Sequence, residues 1–262
     1  MANTALLKKV DLFGIQYSVV NYDSVVNQIM NWSHDLNNKQ DDASGYAVTA
    51  LAVHGLIEGY KNHELRNQIN SIDLVVPDGQ PIKWAMNWFH NTELKDRVYG
   101  PTLTLKLLSA AAEQKIPIFF YGSKQTTLDQ LKSNLLAQFP ELQIVGMQAD
   151  RFRESTEEEK TIDRNTIKQS GAKLVFVGRG CPRQEKWVAE NKPHLPAVLL
   201  AVGAAFDFHA GTVKQAPEWI QRVGLEWLFR LNQEPKRLFK RYLTTNSLFL
   251  YLFLKATLKK VF

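Results

Sequence analysis

Short apolar runs alternate with amphipathic stretches from about residue 46 to residue 202, and this alternation constrains the fold more than any other feature. Tyr46–Val53, Ile72–Val76, Pro117–Tyr121, Leu142–Gly146, Lys173–Val177 and Ala197–Val202 read as strands. Between them, Gly55–Ile69, a segment from Pro81 to about Phe89, Thr102–Gln114, Thr126–Phe139, Thr156–Gln169 and Pro182–Asn191 carry helical spacing. Thr156-x-x-Glu159 is a capping box. Strands that are apolar throughout are buried on both faces, and strands separated by helices pair in parallel. The expected fold is therefore α/β: a Rossmann-like, mostly parallel sheet with helices on both faces, over residues 1–211 and without an internal repeat. Upstream, residues 10–20 suggest two short strands around Gly14. Asp23–Ser24 is then expected to cap a helix carrying Val25, Val26, Ile29, Met30 and Trp32, and Asn37–Ser44 reads as a polar surface loop.

Charge divides the chain at residue 212. The segment 212–262 holds ten basic and three acidic residues, a net of +7, whereas 1–211 holds 22 basic and 23 acidic, a net of −1. Such asymmetry points to an anionic partner: a lipid surface, a phosphorylated ligand or nucleic acid. In this appendage Pro217-Glu218-Trp219 is expected to start a helix that aligns Trp219, Val223, Trp227 and Leu231, with a break at Pro235. Arg237 and Arg241 then share a helix face, with Lys240 alongside. The run Leu248–Leu254 is far short of the ~20 apolar residues a bilayer requires, but suits an anionic membrane interface. The competing reading has these residues covering the core or an oligomer interface. A single cysteine, Cys181, cannot form an internal disulfide, and MANTALLKKV is interrupted too soon by Lys8 and Lys9 for a secretory signal. The expected location is cytoplasmic.

Ligands of such sheets bind beyond the carboxyl ends of the strands. Five strand-to-helix turns there carry glycine: Ala52-Val53-His54-Gly55, Pro77-Asp78-Gly79-Gln80, Tyr121-Gly122-Ser123, Gly178 to Glu185, and Val202-Gly203 to Asp207. Neither Gly-x-Gly-x-x-Gly nor Gly-x4-Gly-Lys-Ser/Thr is present, which disfavours a nicotinamide or ATP enzyme. No paired His/Cys/Asp spacing suggests zinc, and Asp-x-Asp is absent, so no metal or other cofactor is expected. By position alone, Asp78 reads most readily as a helix cap. Arg97 is open between a surface ion pair and a diphosphate ligand, and Asp207 between a buried cap and a nucleotide contact. His54 and His209 read as structural hydrogen-bonding residues.

VVPDGQPI, RVYGP, FFYGS, VFVGRGCPRQEKW, AVGAAFDFHAG and GLEWLFRLNQEPKRLFKRYL, in this order between residues 75 and 243, resemble the WecG/TagA/CpsF family of bacterial glycosyltransferases. A weaker match reaches back to about residue 46. The resemblance implies inverting, metal-independent transfer of an N-acetylhexosamine, N-acetylmannosamine in several members. The donor would be a UDP-sugar and the acceptor a polyprenyl-diphosphate-linked sugar at the inner face of the plasma membrane. It implies Asp78 as general base and Arg97 as a second catalytic residue, on the diphosphate together with the tail arginines. Thr49, Gly79, Gly100, Gly122, Gly178, Gln184, Glu185 and Asp207 become substrate contacts, and Arg230, Arg237 and Arg241 the basic motif of the tail. The chain departs from the family pattern in two places: the Asn of a Thr-x-Asn segment is missing after Thr49, and Gln215 stands where Arg is common before Ala-Pro. A nucleic-acid partner is not expected, and a homo-oligomer stays open. The competing classes are a non-catalytic nucleotide- or polyanion-binding protein using the basic tail, and a nucleotide-sugar oxidoreductase.

Overall fold

Each strand of the main sheet sends alternate residues to opposite faces, and both faces are apolar, so helices must cover both. A computed structural model describes residues 7–37 and 44–261. The first elements are an antiparallel pair, β1 (Lys9–Leu12) and β2 (Ile15–Ser18), and helix α1 (Tyr22–Asn37). Most of the polar loop expected at Asn37–Ser44 lies outside the described residues. There follow β3 (Tyr46–Leu51), α2 (Val53–Lys61), α3 (His63–Asn70), β4 (Leu74–Pro77), α4 (Gln80–His90) and α5 (Gly100–Glu113). Next come β5 (Ile118–Gly122), α6 (Gln125–Gln138), β6 (Ile144–Gln148), α7 (Glu157–Gln169), β7 (Leu174–Gly178), α8 (Arg183–Asn191), β8 (Val198–Ala201) and α9 (Ala205–His209).

The six strands are parallel throughout, in the order β4-β3-β8-β7-β5-β6. Along β7, Val175 and Val177 join one apolar cluster with Leu199 of β8; Leu174 and Phe176 join another with Leu200. The chain fills the centre of the sheet last, bringing β7 and β8 between strands laid down earlier. All strands run the same way, so every strand-to-helix turn emerges on one edge.

Local chemistry moves several boundaries. The helix expected at Gly55–Ile69 is two helices, because Asn62 leaves the helical region (φ −121°, ψ 113°) and its Oδ1 accepts from Leu65 N–H at 3.0 Å. Asn21 supplies the cap expected at Asp23–Ser24: its Oδ1 accepts from Ser24 N–H at 2.9 Å, while Ser24 Oγ accepts from Asn21 N–H at 3.0 Å. The edge strand β6 begins two residues later than Leu142, whose N–H instead turns back to the Phe139 carbonyl. The capping box of α7 is formed as expected.

The helix expected from Pro217 is likewise broken, into α10 (Glu218–Arg222) and α11 (Glu226–Gln233), with Gly224 between them at φ +77°. The break leaves Trp219 and Val223 exposed instead of aligned with Trp227. Helix α12 (Pro235–Val261) starts at the expected proline. Its buried stripe of Leu238, Thr245, Phe249 and Leu252 reaches the core, where Phe249 meets Phe13 at 6.1 Å between ring centroids. Phe239, Leu243, Leu250, Leu254 and Leu258 form a second apolar stripe on the opposite, exposed face. Among the described residues no helix is long and apolar enough to cross a membrane.

Candidate active site

The carboxyl ends of β3, β4, β5, β7 and β8 form one side of a cavity of about 970 Å³, and α11 and α12 supply another wall. Asp78, Gly79, Arg97, Gly178, Gln184, Glu185, Asp207, Arg230, Arg237 and Arg241 all line it, so sequence-predicted residues from well-separated parts of the chain converge onto one space. Gly224 rests its backbone on Trp84 of α4; a Cβ there would lie 2.8 Å from the indole.

Asp78 follows β4 directly, and its carboxyl faces the cavity rather than capping α4, whose N-cap residue is Gly79 with no side-chain hydrogen bond. Burial raises its pKa to about 7; Glu226 adds to the rise, while Arg97, the Gly100 N–H and Arg230 oppose it. A carboxylate poised near neutrality is suited to accept a proton from a hydroxyl.

Arg97 does not stand free. Its Nη2 donates to Glu226 Oε2 at 2.7 Å and to Gln221 Oε1 at 3.0 Å, and the guanidinium lies 4.1 Å from the Tyr99 ring centroid. The Tyr99 hydroxyl donates to the other oxygen of Glu226. Glu226, Gln221 and Tyr99 went unrecognised in the sequence because neither helical spacing nor a strand-end turn marks them; Tyr99 lies in the RVYGP stretch, Glu226 in GLEWLFR, and Gln221 just before it.

Arg230, Arg237 and Arg241, from α11 and α12, gather in the lining with one acid, Glu234, which pairs with Arg237 and lies 3.6 Å from Arg230. Burial and the adjacent Arg237 lower the pKa of Arg241, and Arg230 Nε is buried without a hydrogen-bond partner. Such crowding of cations favours an anion between them. Asp207, at the start of α9, has its pKa raised chiefly by burial. The five-residue α9 is too short to register as a periodicity in sequence.

At the head of α8, Gln184 Nε2 donates to Glu185 Oε1 at 2.9 Å, and Thr49 Oγ1 donates to the same oxygen at 3.1 Å. Gln184 Oε1 and Glu185 Oε2 remain without partners although both side chains are buried at the cavity. Thr49, expected as a substrate contact, is itself fully buried and reaches the cavity only through Glu185. Gly100 is buried too, holding Asp78 through its N–H.

Gly122 is a packing residue: at φ +118°, a Cβ would stand 2.6 Å from the Gly178 carbonyl oxygen of the neighbouring strand. Gly122→Ala is expected to lower stability by about 1–3 kcal/mol, read as a fall in denaturant midpoint. His209 Nε2 meets the Pro101 carbonyl at 3.0 Å, and burial drives the pKa of His54 down to about 4. Burial thus keeps both neutral near neutral pH, but the His209 ring is bonded in this way, whereas His54 Nδ1 is buried without a hydrogen-bond partner. Among the described residues no group of three or more His, Cys, Asp or Glu could hold a metal ion.

Comparison with known proteins fits this geometry. Residues 10–261 match the model of the glycosyl transferase WecG/TagA/CpsF family. The chain is also 28% identical over 223 residues to the N-acetylglucosaminyldiphosphoundecaprenol N-acetyl-β-D-mannosaminyltransferase of Bacillus subtilis (strain 168), covering 85% of this chain and 84% of that protein. A match that spans the sheet, every cavity-forming turn and the basic appendage leaves no major element unaccounted for: the chain belongs to the WecG/TagA/CpsF family of glycosyltransferases.

Proposed function

We propose that the protein transfers an N-acetylhexosamine, N-acetylmannosamine in the first instance, from a UDP-sugar to a polyprenyl-diphosphate-linked sugar with inversion at the anomeric carbon. The observation that carries this reading is one carboxyl poised near neutral pH, Asp78, facing the same cavity as three crowded arginines. Asp78 takes the proton of the acceptor hydroxyl as its oxygen attacks the anomeric carbon, and the bond to the UDP oxygen breaks on the opposite face. Arg230, Arg237 and Arg241 receive the diphosphate charge that develops there, without a metal ion. In this reading Asp207 and the head of α8, which line the cavity, contact the nucleotide and the sugar. The Bacillus relative's name supplies the acceptor chemistry: an N-acetylglucosaminyl diphosphate on undecaprenol. The direct test is UDP release and product mass from a panel of UDP-sugars with that lipid-linked acceptor. Release from no UDP-sugar would sink the reading.

Residues 1–211 supply the nucleotide-sugar-binding part in this reading, and 212–262 complete the site and meet the membrane peripherally at its inner face. The exposed stripe of α12 supports this, because Lys236 and Lys240 border it and its leucines face away from the core. Leu250→Ser with Leu254→Ser is expected to abolish co-sedimentation with phosphatidylglycerol-containing vesicles. Binding that survives these substitutions would place the contact elsewhere.

A further inference from the structure

Glu226 opens α11, far in sequence from the strand ends, yet its carboxylate is buried among the groups that surround the base. It binds Arg97 at 2.7 Å and the Tyr99 hydroxyl, while Gln221 from α10 holds the same guanidinium nitrogen at 3.0 Å. Arg97 and Glu226 both act on Asp78, with opposite sign. The other charged or titratable groups around Asp78 are Arg230 on α11, Tyr99 before α5, Tyr22 on α1 and Tyr17 on β2.

Two carboxylates therefore compete for one guanidinium. We propose that Glu226 is a positioning residue that draws Arg97 away from Asp78, so that the base is free for proton transfer only while the α10–α11 segment is seated. Three bonds hold Arg97 and Tyr99 to that segment: two to Glu226 and one to Gln221. Lifting the segment removes all three, and Asp78 is then the acid left to Arg97 among those that act on it. An aspartate paired with arginine has its pKa lowered and is a weaker base. Seating of the basic appendage thus both closes the cavity and releases its base. The proposal rests on the reading of Asp78 as the general base.

The test is the pH profile of kcat/KM for UDP release in Glu226→Gln, Arg97→Met and the double variant. Glu226→Gln keeps the side-chain shape but removes the charge that competes for Arg97. Its acid limb is expected to move down by about one pH unit or more, with a plateau about ten-fold lower. Arg97→Met is expected to move the acid limb above that of the wild type. The double variant should lie close to Arg97→Met, below it only by the direct like-charge repulsion of Asp78 that is lost with Glu226, because the larger part of the Glu226 effect runs through Arg97. A residue that only braces the fold would lower the plateau and leave the limb in place. An unmoved limb in Arg97→Met, or a double variant that follows Glu226→Gln, overturns the proposal even if Glu226→Gln alone is too unstable to assay. Asp78→Asn in the same assay separates the two claims: full activity there removes Asp78 as base, whereas its loss leaves only the role of Glu226 in question.

Discussion

Asp78→Asn is expected to lower kcat by about 10²–10⁴-fold and at the same time to make the protein more stable at pH 8. The first effect follows from the proposed role of Asp78 as proton acceptor, since asparagine keeps the shape of the cavity but cannot take the proton. The second follows from the direction of the pKa change. The native carboxyl keeps its proton up to about pH 7, whereas in the unfolded chain it gives it up near the ordinary aspartate value of 3.8. Between those values the native state binds more protons than the unfolded state, so stability falls as pH rises. The full span corresponds to about 4 kcal/mol as an upper limit, reduced by solvent screening because Asp78 as a residue is only half-buried. Asparagine has no charge to bury, so the variant should match the wild type near pH 4 and exceed it in denaturant midpoint by pH 8. In the wild type, kcat/KM should rise with pH through about 7 as the base ionises. Equal midpoints for variant and wild type at pH 8 would mean that Asp78 is not held in a costly state.

This pairing of lost function with gained stability bears on how much of the site could be read from sequence. The parallel sheet was legible because apolar runs such as Leu174–Gly178 and Val198–Ala201 leave no polar face, and five glycine-bearing turns marked the edge where ligands bind. Asp78 was legible as a position but not as a chemical state. Its pKa depends first on burial, then on Arg97, and then on Glu226, which lies far along the chain and is joined to the site by folding alone. For the same reason Arg97, open in sequence to a diphosphate, is found tied to Glu226. Single residues hid the helix breaks at Asn62 and Gly224, because the apolar spacing runs on across both positions. The tail's apolar residues proved to serve two faces at once: Phe249 and Leu252 enter the core while Leu250 and Leu254 point away. Composition could count those residues but could not assign them to faces.

Arg241→Ala should show the same opposition between stability and function in the basic part of the cavity lining. With Arg230 and Arg237 close by, Arg241 is destabilised by burial and by like charge, which is why its pKa is lowered. Glu234 offsets part of the repulsion, but it is already paired with Arg237. Removing Arg241 relieves that repulsion, so the ligand-free variant should unfold at a temperature equal to or higher than the wild type. UDP affinity should fall by about 10–100-fold, the span expected for charge-assisted hydrogen bonds of about 1.5–3 kcal/mol. The two effects cross in a thermal-shift titration. Saturating UDP stabilises the wild type by mass action, and the same concentration stabilises Arg241→Ala far less. The exposed pair Arg222–Glu218 is the control, since an exposed arginine outside the cluster should leave UDP affinity unchanged on replacement by alanine. If Arg241→Ala bound UDP as tightly as Arg222→Ala, the arginine cluster would not be the diphosphate site. The crowding of cations there would then need an anion of another kind.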